Sequence, residues 1–446
     1  MSTAVQEKET ILNFLDGNFG NISNIPAIAG LNDKGAGNIS EFPFPTKKDE
    51  DWRFTDLRSI SRNHFVPVTD SGAVQLGDIS NHYLPEATNS RLVFVNGEFN
   101  SRLSSTADIP ENVVVGNMAA FGDHEILKTH LGKYTNYDED QDVFAALNDA
   151  NFKDGGFIYV PKETKVEAPI HILNVFTDSE KAYYATPRVL FVGEAYSKAT
   201  IVEEHVALTQ NEYLNVTVNE FKLFEGAHVH HARIQRDSKK ANHISRPIAH
   251  LDKFAEYHSY TICLGAKLFR NDPRVVQNDE EVDFTIDGLV LIDGDQIADT
   301  HSAIDHRHWH AKSHQLHKVV VNDEAHSIFN GKIFVREDSQ KIDSFQENRN
   351  LLLSVDGTVH TKPQLEIFSD DVLCSHGATI GHLNEDEVFY LHSRGLTKKK
   401  ARELLVYAFT LESIETMEVE SVHKLLLDEV VKYTSRDEEF VAVGKD

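Results

Sequence analysis

A thiol and an imidazole stand two residues apart in Asp370-Asp371-Val372-Leu373-Cys374-Ser375-His376-Gly377. Alternate side chains of an extended backbone share a side, so Cys374 and His376 make a donor pair that could hold a soft metal ion or a sulfur species. The run before them, Leu365-Glu366-Ile367-Phe368, has the apolar spacing of a strand, and Gly377 and Gly381 punctuate the residues after it. That sets the pair at or just past a strand end. An adjacent imidazole supports thiolate character, so a nucleophilic Cys–His enzyme is a second reading, although no oxyanion-hole signature accompanies the pair. The other cysteine, Cys263, lies in the apolar run Tyr260-Thr261-Ile262-Cys263-Leu264 and reads as a core thiol.

Histidines form a second group. His301, His306, His308, His310, His314 and His317 crowd one short segment. On an extended strand His306, His308 and His310 point one way, with Asp305 nearby, and could share a zinc or iron ion; the alternative is a polar strand surface or a hydrogen-bonded interface. His228, His230 and His231 allow the same two readings. A third group is Lys398, Lys399, Lys400 and Arg402, following the candidate helix cap Thr397. Cations in the first turn oppose the helix dipole, so the segment reads as a docking helix ahead of a merely solvated face. No Walker motif, G-x-G-x-x-G or G-x-S-x-G occurs in a fitting context, which argues against nucleotide hydrolysis or dinucleotide binding through those motifs.

The elements that must position these groups are mostly strands. Between Ile158 and Phe368 strand signals succeed one another with almost no helical pattern: 170–176, 188–192, 214–224, 228–234, 257–264, 282–292, 315–321 and 327–335. That length exceeds one sandwich and lacks a propeller's period, so a mainly β solenoid, a parallel β-helix, accommodates it best. Ala227 and Ala255, 28 positions apart, and Ala298 and Ala325, 27 apart, give a weak coil-length repeat. A solenoid end left uncapped invites a partner strand.

Around this core the readings are helical. Residues 5–19 predict a short amphipathic helix, and 21–45, dense in Gly, Pro and Asn, a loop. Lys48 to Leu57 is a charged segment, with Thr55 or Asp56 as a cap, that Trp52 anchors to the body. Asp142 to Ala150 predicts a helix stopped by Gly155-Gly156, and after Gly381 helices are expected from Thr397 and over 418–433, before a short acidic tail. The division is 1–90 helical, 91–382 solenoid core and 383–446 helical.

The chain has 446 residues, 44 Lys and Arg against 70 Asp and Glu, and a formal charge of -26, which argues against nucleic-acid phosphates or an anionic membrane as partners. The first residues carry acids where a signal peptide is basic, and no stretch approaches the roughly 20 apolar residues of a spanning helix. A cytoplasmic protein with two free thiols is expected.

Several long, ordered motifs resemble the SufB/SufD family of iron–sulfur cluster assembly proteins. They are Asp299-Thr300-His301 with His306 and His310, Ser313-His314-Gln315-Leu316-His317-Lys318, Phe329-Asn330-Gly331-Lys332-Ile333, Gln346-Glu347-Asn348-Arg349-Asn350-Leu351-Leu352-Leu353-Ser354 and Cys374-Ser375-His376-Gly377-Ala378. Phe152 to Pro161 and Glu50 to Leu57 are similar to the family's other characteristic stretches. The Cys-Ser-His-Gly form and the Trp-Arg-Phe-Thr-Asp-Leu block resemble the SufD branch, as does the absence of a Cys-rich N-terminus. The resemblance implies a right-handed parallel β-helix flanked by helical segments, in a non-catalytic scaffold subunit. It implies pairing with a SufB paralogue at the solenoid end, docking of the ATPase SufC on the C-terminal helices, and a homodimer when isolated. It also implies a nascent, transient Fe–S cluster shared with SufB, with Cys374 and His376 at the junction and His376 as a metal ligand, and a reduced flavin at the level of the complex. Lys398, Lys399, Lys400 and Arg402 become the SufC contact. The histidines matching His301 and His306 carry no assigned ligand role. One Cys and one His are at best half of a four-ligand site, so partner residues must complete it. The rivals are a β-helix carbohydrate-active enzyme and a metalloenzyme built on the histidine cluster.

Overall fold

In this computed structural model, which describes residues 9–20, 22–68, 73–135 and 141–435, the chain alternates between two sheets and lays each strand parallel to the one a coil earlier. The first sheet stacks Arg91–Val95, Ile170–Phe176, Lys198–Ala207, His228–Arg236, Glu256–Cys263, Val282–Ile292, Ala311–Val321, Ile342–Leu352 and Val372–His382. The second stacks Gly156–Val160, Arg188–Gly193, Tyr213–Leu223, Asn242–Leu251, the pair Leu268–Asn271 and Arg274–Gln277, Ile297–His306, His326–Val335 and Thr358–Ile367. This is the expected β-solenoid. Alternate side chains of both sheets point inward, and residues such as Val229, Tyr257, Phe284, Phe221 and Ile304 fill the axis.

The coils share a backbone device rather than a residue type. Glu163, Tyr196, Phe254, Glu281, His310 and Lys341 all have φ between 53° and 60°, and Gly226 has 63°. Each turns the corner into a first-sheet strand. From Tyr196 onward the corner N–H donates to a carbonyl of the next coil: Tyr196 to Glu225, Gly226 to Lys253, Phe254 to Glu280, Glu281 to Trp309, His310 to Gln340, Lys341 to Asp371. Non-glycine residues in this region carry strain that the surrounding stack must offset. Ala227 and Ala255 hold equivalent buried places just after this corner. Ala298 and Ala325 do not. The register pairs Ala298 with Ser327, and it is Gln296 and Ala325 that match, each donating its N–H to the carbonyl three residues earlier.

Both outer walls are covered. Residues 26–41, expected as loop, form helix α1 (Pro26–Glu41), with Pro at its first position. One of its glycines makes the packing possible. A Cβ on Gly35 would lie 2.3 Å from the Ala150 nitrogen of helix α2 (Val143–Asn151), and Asn32 Nδ2 donates to the Asp149 and Phe152 carbonyls at 2.8 and 3.1 Å. The helix expected over 5–19 is, within the described residues, a single 3-10 turn, Ile11–Phe14. Helix α2 forms as expected, with Asp142 Oδ1 accepting the Phe144 and Ala145 N–H groups. It is tied to the solenoid by the fully buried Arg188, whose guanidinium reaches Asp149 Oδ1 at 2.5 Å and Glu220 Oε2 at 2.7 Å.

Trp52 anchors its segment as expected, 4.2 Å from the Arg270 guanidinium and 5.5 Å from the Phe144 ring. Thr55 is not a cap. Its hydroxyl donates to the buried Asp299 carboxylate, while Asp56 Oδ1 accepts from the Arg58 N–H at 3.0 Å. Across the molecule, helices α3 (Glu385–Ser393), α4 (Lys398–Ile414) and α5 (Glu420–Thr434) come after the last strand. Val406, Ile414, Val422, Leu426 and Val430 pack on Val202, Ile234, Ile262, Leu289 and Val320 of the first sheet. Tyr433 Oη donates to the Ile292 carbonyl at 2.8 Å and Lys318 Nζ to the Phe409 carbonyl at 2.7 Å. The acidic tail lies outside the described residues.

Candidate functional site

The two ends of the solenoid differ. At the N-terminal end the short strands Glu98–Phe99 and Val114–Asn117 pair antiparallel with Arg91–Val95 and Gly156–Val160, so the stack finishes there in short strands running against it. At the other end Thr358–Ile367 and Val372–His382 each have a neighbour on one side only. Their outer edges keep unpaired backbone donors and acceptors, the arrangement that templates a further strand. Apolar side chains crowd this end: Leu373 is 74% exposed, Phe368 63% and Ile380 50%.

Cys374 and His376 lie inside this last strand rather than at its end. Register places Cys374 opposite Ser344, which faces Ser313, then Phe284 and then Tyr257. The column is therefore an inward one, apolar in earlier coils and polar toward the open end. Cys374 is half-buried against the axial core, and burial, then the Asp343 carboxylate, pushes its thiol above the ordinary range. His376 is exposed and stands opposite Gln346.

The layer beneath the pair is polar, buried and only partly satisfied. His306 Nδ1 lies 3.1 Å from Gln277 Oε1, its Nε2 3.0 Å from Ser313 Oγ, and Ser313 Oγ 2.7 Å from Ser344 Oγ. Burial pushes His306 down to about 3, so the ring is neutral. With Nδ1–H donated to Gln277, Nε2 accepts from Ser313, and the run ends one strand below Cys374. The Gln346 amide, fully buried beneath His376, has no hydrogen-bond partner on either its N or its O. A polar side chain left so is costly unless something at the open end completes it. Sequence reasoning missed Ser344 and Gln346; their signal is the polar alternation Ser344, Gln346, Asn348, Asn350 on the inward face of one strand, matched by Ser313, Gln315 and His317 on the strand before it.

The other groups separate. His306 is buried, whereas His308 and His310 are exposed in the turn after the strand, where His310 adopts its positive φ. The shared extended strand expected for the three does not exist, so they do not converge on a metal. His314 stacks on Phe345 at 5.2 Å and lies 3.5 Å from Asp287, which raises its proton affinity. His231 points inward to Glu203 and Tyr257, away from His228 and His230. Lys398, Lys399 and Lys400 are exposed on the first turn of α4, with Thr397 accepting the Lys400 N–H at 3.2 Å. Lys400 and Arg402 have partners within the chain, Glu403 and Glu385. Among the described residues no helix is long and apolar enough to cross a membrane.

Residues 175–409 match the family model described as SUF system FeS cluster assembly, SufBD core domain, and residues 22–172 match the SufBD protein N-terminal region. An iron–sulfur cluster assembly SufBD family protein of Synechocystis sp. is 38% identical over 394 residues, covering 86% of each chain. The chloroplastic protein ABCI7 of Arabidopsis thaliana is 30% identical over 88% of this chain and 83% of its own. The iron–sulfur cluster assembly protein SufD of Escherichia coli is 27% identical over 86% of this chain and 88% of its own.

Proposed function

The chain belongs to the SufBD family of iron–sulfur cluster assembly proteins, and on that premise we propose that it is a non-catalytic, SufD-type scaffold of a cytoplasmic assembly complex. Its open solenoid end pairs with a SufB paralogue, and the seam between them holds the nascent cluster. The single observation that carries this reading is the terminal strand Val372–His382: a free edge with the chain's one solvent-reachable thiol and an exposed imidazole, over a Gln346 amide that lacks partners.

The environment sets the ligation chemistry. A thiol whose proton affinity burial has raised is a poor ligand until a cation approaches; iron or a partner's basic group at the seam favours the thiolate, and the proton leaves to solvent. Two donors leave a cluster short of ligands, so the partner supplies the rest and the cluster is cargo, held while the seam is closed. Lys398 and Lys399 on α4 offer an exposed basic corner to an ATPase of the SufC type, and nucleotide-driven motion carried through α4 and α5 to the first-sheet wall opens the seam. A reduced flavin would act at the level of the complex. When isolated, the same edge pairs with a second copy.

The test is reconstitution with Cys374→Ala, His376→Ala and the double variant. Elution volume and partner binding should match the wild type, while cluster formation, monitored by its visible absorption, falls. Normal cluster yield from the double variant would remove the pair from the site.

A further inference from the structure

On the outer wall of the first sheet, far from the open end, three imidazoles gather. His228, His230 and His258 each offer a ring nitrogen within 4.8 Å of the others, the one such group of three His, Cys, Asp or Glu side chains among the described residues. His228 and His230 stand two apart on one strand, and register puts His258 beside His230 on the next. His228 Nε2 lies 2.7 Å from His230 Nε2, and His230 Nε2 lies 3.1 Å from Glu418 Oε1. Glu418 comes from the link between α4 and α5, so the fourth donor belongs to the C-terminal helices. Glu256 Oε2 accepts from His228 Nδ1 at 3.0 Å, which leaves Nε2 with its lone pair facing the cluster.

All three rings are half-buried, with their facing nitrogens drawn together on one patch of the sheet. The His230 Nδ1 is buried without a partner, so hydrogen bonding alone does not satisfy the group. Three imidazole nitrogens and one carboxylate oxygen are a donor set for a tetrahedral borderline ion, and a carboxylate on one ring's far nitrogen is the usual orienting arrangement.

We propose that His228, His230 and His258, closed by Glu418, bind one first-row divalent cation, zinc(II) or iron(II), and that the ion pins the C-terminal helices to the solenoid wall. The site is separate from the terminal edge. It faces outward where Cys374 faces inward, and four strand spacings for His258 and five for His228 and His230, about 19–24 Å at roughly 4.8 Å each, divide them. The ion is a structural clamp with its positions filled by protein, in contrast to cargo that must leave.

The experiment uses the full-length chain without an affinity tag, stripped with a chelator and titrated with zinc(II) or, anaerobically, with iron(II). The expected result is one ion per chain, a tetrahedral-type visible spectrum with cobalt(II), and slower amide exchange around Met417 to Val422 on loading. His230→Gln and His258→Gln should weaken binding about 100-fold or more, and Glu256→Gln about 10- to 100-fold, the range for an orienting carboxylate. Cys374→Ala with His376→Ala should leave this ion in place, which keeps the result independent of the cluster reading. If His230→Gln fails to fold by circular dichroism, His228→Gln, at the strand's first residue, replaces it. No ion on the wild type, or binding unchanged in the folded variants, would overturn the proposal.

Discussion

Replacing Leu373 and Ile380 by serine tests whether the open end is an interface. Full burial of such a side chain is worth about 1.5–3 kcal/mol. Leu373 is 74% and Ile380 50% exposed, so covering them stabilises a complex by about 1.1–2.2 and about 0.8–1.5 kcal/mol at most. Together that is about 2–4 kcal/mol, or about thirtyfold to several hundredfold in Kd at about 1.4 kcal/mol per decade. The isolated fold should be untouched, because neither residue supports the core in the free chain. Calorimetric titration with the SufB-type partner reads the heteromeric affinity, and sedimentation reads self-association. Residual binding through the edge's backbone groups is expected. A Kd within twofold of the wild type, with the fold intact, would refute the claim that partners add to this edge.

Lys398→Glu with Lys399→Glu should weaken an ATPase partner of the SufC type, most at low salt, while helix stability holds or rises because acids suit the first turn. Unchanged affinity at low salt would remove the docking role. Arg188→Met leaves Asp149 and Glu220 buried without their cation and should cost about 3–5 kcal/mol in urea unfolding, partly restored by adding Asp149→Asn and Glu220→Gln. A loss below about 1 kcal/mol would show that α2 is held by other contacts. Stability should also fall on acidification. Burial pushes His306 and His317 to about 3, against 6.5 unfolded, so the unfolded chain binds more protons. Their contribution is complete above pH 6.5 and drains as pH falls toward 3, at roughly 1.4 kcal/mol per group per pH unit. Denaturation midpoints that do not change between pH 7 and 5 would contradict this.

Strand alternation made the solenoid legible because inward residues repeat every second position whatever their chemistry. The coil period was nearly invisible, since its fixed element is a backbone corner occupied by Glu, Tyr, Gly, Phe, Glu, His and Lys, and only the carbonyl one coil away identifies it. Helix α1 was hidden for a related reason. Gly30, Gly35 and Gly37 read locally as turn, but Gly35 is demanded by the backbone of α2, 115 residues later at Ala150. Cys374 and His376 were legible as a pair, yet their inward direction and the Gln346 and Ser344 beneath them depend on register. The row His306, His308 and His310 failed because the strand ends at His306. His228 and His230 gained a third member from the next coil, at a distance in sequence that spacing arguments do not reach.

The unequal ends of the solenoid also bear on how an assembly can grow. A stack with two free rims would add subunits head to tail and run on as a fibre. Here the entry rim ends in the short strands Glu98–Phe99 and Val114–Asn117, which run against the stack, whereas the exit rim offers the full-length strands Thr358–Ile367 and Val372–His382 as a template for a parallel newcomer. Two such rims meeting face to face would be related by a two-fold axis, and the long exit-rim ladder would be used up in the pair. On the reading proposed above, a second copy and a SufB-type partner would compete for that one rim.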